Sequence, residues 1–235
     1  MDGHERIEFS QGGEDGVLLS LLMRIGTTNR FFVEFGVSDG AECCTAALAI
    51  KYHWSGLMIE GDSASYERLC TGYRSLGVIE VRFLQRFIDR DSIVKIFEDE
   101  KVPENLDLLS IDVDGNDYWI WESLLVAGYR PRIIVVEYNA AKGPRDRWVM
   151  AYNPAHTWDG SDYFGASLAS LAALGERYGY ALIGTSSNGI NAYFVRDGLV
   201  LASGFRAKSA VEAFHPPRRF LGMTLPSGAG PAVSL

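Results

Sequence analysis

Cysteine is scarce in this sequence, with three residues in 235, two of them adjacent (Cys43 and Cys44) and none in a CxxC pair. That excludes a disulfide scaffold and argues against a cysteine-based zinc site. Basic residues are also few: 22 Lys and Arg stand against 30 Asp and Glu, a formal net charge of −8. No basic surface is left to neutralise a phosphate backbone, so nucleic acid is not expected as a partner. No apolar run approaches the roughly 20 residues that cross a bilayer, and the opening Met1-Asp2-Gly3-His4-Glu5 is too polar for a secretory signal. A cytoplasmic protein with no membrane partner is expected. Two motifs are missing as well: the GxGxxG dinucleotide turn and the P-loop.

What is present is alternation. Short apolar runs at Phe31–Val37, Leu57–Glu60, Val78–Phe83, Leu106–Val113, Arg132–Tyr138, Ala181–Thr185 and Ile190–Val195 read as strands covered on both faces. Between them lie helical patterns. Leu18, Leu21, Leu22 and Ile25 precede the first strand at helical spacing, and Leu168, Leu171, Leu174 and Tyr178 precede the sixth. The stretches Ala41–Lys51, Ser65–Leu76, Asp91–Glu100 and Trp119–Ala127 also read as helices. The expected fold is α/β, a mostly parallel sheet with helices on both faces. Only Ser186-Ser187-Asn188-Gly189 joins the last two strands, which is a hairpin, so one late strand is expected to run antiparallel. The expected organisation is a single domain over residues 1–215, with a long inserted loop at 140–164 and a C-terminal strap or flexible tail at 216–235.

Chemistry concentrates at the strand ends, where ligands of α/β sheets bind. The first strand runs into Gly36 and Gly40, which permit a tight turn and close approach of a ligand to the backbone. The second ends in Glu60-Gly61-Asp62, placing an acid roughly 20 residues beyond the Gly turn, where it can accept both hydroxyls of a ribose. A solvent-facing Glu60, with Asp62 or Ser63 capping the next helix, is the plainer alternative. The fourth and fifth strands end in Asp112-Val113-Asp114 and in Glu137-Tyr138-Asn139. Acids so clustered repel one another unless cations, protons or hydrogen bonds offset the charge. Asp112 or Asp114 with Glu137 and Asn139 would supply three oxygens for Mg²⁺, and hydrogen bonding to backbone amides or to a ligand amine is the alternative.

The succession Glu34-Phe35-Gly36-Val37-Ser38-Asp39-Gly40, then Ile59-Glu60-Gly61-Asp62, then Ser110-Ile111-Asp112-Val113-Asp114-Gly115-Asn116-Asp117-Tyr118, then Glu137-Tyr138-Asn139 resembles the class I S-adenosylmethionine-dependent methyltransferases, and in particular their FkbM-like branch. Phe9-Ser10-Gln11-Gly12-Gly13-Glu14-Asp15-Gly16 resembles that branch's cofactor-closing segment, and the resemblance spans about residues 9 to 196. It implies a Rossmann-like seven-stranded sheet with one antiparallel strand, and S-adenosylmethionine as cofactor. Carried over by position, it makes Glu34, Gly36 and Gly40 the turn that holds the methionine part. It makes Glu60 the ribose acid and the Phe87-Ile88 region the adenine wall. Asp112 then faces the methionine amine or the reacting centre, while Gln11, Glu14 and Asp15 close over the cofactor. The third strand departs from the family pattern, ending Leu84-Gln85-Arg86-Phe87 instead of in an acid and a small residue.

The resemblance implies methyl transfer to a small acceptor, with a sugar or natural-product hydroxyl favoured over nitrogen. Candidates for removing the acceptor's proton are Asp112, Asp114, Glu137 and His156, an imidazole inside the inserted loop. Tyr152, Trp158, Tyr163 and Phe164 are candidates for the acceptor's walls. His53, beside Trp54, reads as structural. A nicotinamide-dependent oxidoreductase also needs a ribose acid, but the missing third close Gly and the acidic Glu34 oppose it. A noncatalytic cofactor-binding module is the remaining alternative.

Overall fold

The structure, a computed structural model, describes residues 1–217 and 225–234. Part of the expected C-terminal strap, 218–224 and 235, thus lies outside the described residues. In chain order the elements are α1 (Glu14–Ile25), β1 (Phe31–Phe35), α2 (Ala46–Ile50), β2 (Ser55–Glu60), α3 (Ser63–Ser75), β3 (Val81–Gln85), α4 (Ile93–Asp99), β4 (Leu108–Ile111) and α5 (Asp117–Val126). There follow β5 (Ile133–Glu137), β6 (Val149–Met150), α6 (Leu168–Arg177), β7 (Tyr180–Thr185), β8 (Asn191–Arg196), α7 (Asp197–Ser203), α8 (Ala210–Ala213) and β9 (Ala232–Val233).

Seven strands form one sheet in the order β3-β2-β1-β4-β5-β8-β7. All pairings from β3 to β5 are parallel, and β8 runs antiparallel to both β5 and β7. This is the mostly parallel, one-antiparallel sheet expected from the alternation and the hairpin, with the Rossmann-like seven strands that the resemblance implies. The strands are buried on both faces because their side chains feed two cores in turn. Val33, Leu57, Leu109 and Ile134 pack with α4, α5 and α6, whereas Phe32, Met58, Leu108 and Ile133 pack with α1, α2, α3 and α7. Among the described residues no helix is long and apolar enough to cross a membrane.

Three local features differ from expectation. The helix expected from Ala41 starts only at Ala46. The reason is Glu34: its carboxylate accepts from Cys44 N at 2.8 Å and from Thr45 N at 3.0 Å, holding 41–45 as a turn. The third strand starts at Val81 and runs on to Gln85, set by its register against β2 from Gly56↔Val81 to Glu60↔Gln85. As an edge strand it is only partly covered, so its last residues lack an apolar pattern. The inserted loop also contains a short strand, since β6 pairs antiparallel with β9 and brings the chain's C-terminal residues onto the loop.

Candidate functional site

At the carboxyl edge of the parallel strands two chambers of 510 and 410 Å³ lie side by side. Gly36, Ser38 and Asp112 line both and form the junction between them. Gly36 has a left-handed φ of +67°, and a Cβ there would lie 1.7 Å from the Asp112 carbonyl oxygen. Only glycine lets the end of β1 pass so close to the end of β4.

The larger chamber is lined by Glu60, Phe87, Asp114 and His156 among others. Glu60 is held by Ser38 N to Oε2 and Asp62 N to Oε1, both 2.7 Å. Each oxygen keeps a second lone pair for a ligand hydroxyl. Phe87 is 78% exposed and rests on Gly61, where a Cβ would meet its ring at 2.4 Å, so an apolar face is presented at the chamber's mouth. Asp62 caps α3 by accepting from Ser65 N at 2.8 Å, as the plainer alternative required of it.

The smaller chamber is lined by Gln11, Glu14, Glu34 and Asn191 among others. Glu14 is buried at the start of α1, accepting from Gly12 N at 2.7 Å and from Asn191 Nδ2 at 3.0 Å. Asn191 is absent from the sequence-derived candidates. Its signal was the hairpin: the first residue of an antiparallel strand falls on the edge where its parallel neighbours end, and Asn191 pairs with Glu137. Glu34 accepts four hydrogen bonds, two from Thr45 and one each from Cys44 N and Ser110 Oγ, yet its burial still pushes the carboxyl upward in pKa.

Asp112, Asp114 and Glu137 each place one carboxylate oxygen within 4.8 Å of the others. Glu137 stands behind the other two and lines neither chamber. Burial, followed by the charge of Asp117 and Asp114, holds Asp112 well above the ordinary carboxylate range. Burial, followed by Asp112, Asp117 and Asp114, does the same to Glu137, whose Oε2 is buried without a hydrogen-bond partner. Asp117, another residue not singled out from sequence, accepts from Val113 N and Gly115 N, both at 2.9 Å, and shapes the turn after β4. Burial raises its pKa to about 6.

His156 completes this end of the chamber. Its ring lies where a Cβ on Gly115 would sit, 2.4 Å from Cδ2, and its Nε2 is buried without a hydrogen-bond partner. The loop carrying it is tied to the sheet edge by Asn116, whose Nδ2 donates to Asn153 O at 2.8 Å, and by Trp119 Nε1 donating to Met150 O at 2.8 Å.

Three expected site residues are placed elsewhere. Asn139 spends its amide on pinning the inserted loop: its Nδ2 donates to Asp162 O and Phe164 O and its Oδ1 accepts from Ala141 N. Asp15 lines neither chamber, because its Oδ2 accepts from Glu8 N, Phe9 N, Ser10 N and Ser10 Oγ and folds the segment ahead of α1. Gly40 also lines neither, its missing Cβ making room for Leu69 and Tyr73 under the turn.

No described protein family matches the sequence, and no curated protein does. Solved structures are similar in architecture. The N-terminal domain of EvdMO1, in the presence of SAH and D-fucose, is 15% identical over 86% of this chain and 85% of that one, with a TM-score of 0.49. A putative O-methyltransferase from Klebsiella pneumoniae is 12% identical over 82% and 84%, with a TM-score of 0.49. Magnesium protoporphyrin IX methyltransferase from Synechocystis PCC 6803, with bound SAM, is 10% identical over 78% and 77%, with a TM-score of 0.47.

Proposed function

We propose that the protein is an S-adenosylmethionine-dependent methyltransferase of the FkbM-like branch, acting on the hydroxyl of a small acceptor such as a sugar or natural product. The observation that carries this reading is the double chamber joined at Gly36, Ser38 and Asp112. Its two halves suit a ligand with a nucleoside at one end and an amino acid at the other. Glu60 would accept the ribose hydroxyls and Phe87 would cover the adenine. Gln11, Glu14 and Asn191 would face the amino-acid end, with Glu34 shaping the wall behind them.

The bound cofactor supplies a methyl group already activated as an electrophile on a sulfonium. The chain has two tasks left, alignment of the acceptor and removal of one proton. His156 lines the larger chamber and its Nε2 has no hydrogen-bond partner, so its imidazole is the group we assign to the proton that the acceptor oxygen loses. Asp112 lines the junction and Asp114 the larger chamber beside it; burial raises both carboxyls in pKa, and a cationic sulfonium bound there would favour their ionised forms.

Calorimetry with S-adenosylhomocysteine and with NAD tests the cofactor class, and turnover with acceptor hydroxyls tests the reaction. In the first, Glu60→Ala is expected to weaken S-adenosylhomocysteine binding by about 1–3 kcal/mol through lost charge-assisted bonds. Binding as tight as the parent's would remove Glu60 from the site.

A second reading concerns Mg²⁺. The orphaned Oε2 of Glu137 and the proximity of Asp112 and Asp114 fit a hard divalent cation, which would acidify the acceptor hydroxyl. Under it, turnover is lost in excess chelator and returns with Mg²⁺. Full turnover of metal-free enzyme would leave the trio neutralised by protons and His156 as the base.

A further inference from the structure

We propose that the C-terminal segment 225–234 is a positioning strap for the inserted loop, and that Tyr163 is the residue through which it sets the place of His156. The inference rests on the reading of His156 as the proton acceptor. The segment itself is largely exposed, so it adds little to the cores. Among the described residues, its hydrogen bonds run to the loop. Ala151 N donates to Pro231 O at 2.9 Å, just beyond the β6–β9 pairing. Asp162 is held from two sides, its N donating to Pro226 O at 2.9 Å and its Oδ1 accepting from Gly228 N at 2.7 Å.

Tyr163 joins this strap to the site. Its hydroxyl donates to Pro231 O at 2.7 Å, and its ring stands edge-on to His156 with centroids 6.1 Å apart. Two glycines make the approach possible: a Cβ on Gly230 would lie 2.3 Å from Tyr163 Cζ, and one on Gly228 would lie 2.2 Å from Ser161 Oγ. On its far side the imidazole rests on Gly115 at the sheet edge. His156 is thus clasped between the end of β4 and a ring whose other end is fixed by the strap. A loop with so little regular structure holds one side chain in place only when it is fixed from outside as well as inside.

Three variants test this: a chain ending at residue 224, Gly230→Val, and Tyr163→Leu, each made in the parent and in His156→Gln. Each is expected to lower kcat by about 10–100-fold while S-adenosylhomocysteine affinity stays within about threefold. Tyr163→Phe keeps the ring and loses only the strap bond, so it is expected to be milder than Tyr163→Leu. In the His156→Gln background none should lower kcat further, because what they disturb is already gone. Losses that repeat in full in that background, or an unchanged kcat in the shortened chain, overturn the proposal. Hydrogen exchange over 151–164 gives a readout that does not depend on the reaction. Faster exchange in the shortened chain and in Gly230→Val is expected, and unchanged exchange overturns the strap even if no acceptor is ever found. Absence of S-adenosylhomocysteine binding in the parent would instead refute the methyltransferase reading and leave the strap standing.

Discussion

Replacing Glu137 by Gln is expected to make the protein more stable at pH 8 by about 1–2 kcal/mol. The cause is the crowding of buried acids around it. Asp112 and Glu137 are pushed well above the ordinary carboxylate range by burial first and by neighbouring acids second, and Asp117 is raised to about 6 by burial. A carboxyl with a raised pKa holds its proton in the folded chain at a pH where the unfolded chain has released it. The folded state then binds more protons, so stability falls as pH rises from the ordinary carboxylate range through the raised values. For Asp117 that window runs from 3.8 to about 6, and the other two extend it upward. Urea denaturation at pH 5, 6.5 and 8 reads it directly: the parent should lose stability over this range, and Glu137→Gln should lose less. Parallel curves for parent and variant would mean that the trio carries no unrelieved charge.

The sheet was legible because its inner strands are buried on both faces, and a strand so placed is apolar at most positions. Ile133–Val136 and Leu108-Leu109 announce themselves in that way. The hairpin was legible from its short connection, and with it the antiparallel course of one late strand, though not which of the two. Edge strand β3 was not fully legible, since Arg82 and Gln85 face solvent. Strand ends marked where acids gather, which located Glu60, Asp112 and Glu137 without saying where each carboxylate points. Asp15 and Asn139 show why that last step fails from sequence: both are buried polar groups, and each satisfies backbone groups of a neighbouring loop instead of facing a ligand. The loop itself was conspicuous by its aromatic residues, but its bracing by 225–234 joins residues far apart in the chain through backbone bonds, which leave no side-chain pattern to read.

Gly36→Ala is expected to reduce S-adenosylhomocysteine affinity by roughly 100-fold or more, close to 3 kcal/mol, and to lower stability by about 2–4 kcal/mol. Two penalties combine. The residue sits at φ +67°, a region that costs a side chain strain, and the new Cβ would lie 1.7 Å from the Asp112 carbonyl oxygen, where neither partner is a flexible side-chain tip. The ends of β1 and β4 must therefore separate, and this is the point where the two chambers meet. Asp112 would move with its backbone, so the junction and the acid beside it are lost together. Gly72→Ala is the control, for Gly72 lies within α3 with nothing within 4 Å of a built Cβ. There alanine should add about 0.5–1 kcal/mol of stability by its better helical propensity and leave binding alone. Chemical denaturation and calorimetry on the two variants separate the cases. If Gly36→Ala folds and binds S-adenosylhomocysteine as the parent does, the ligand does not pass through the junction, and the assignment of its two ends to the two chambers falls with it.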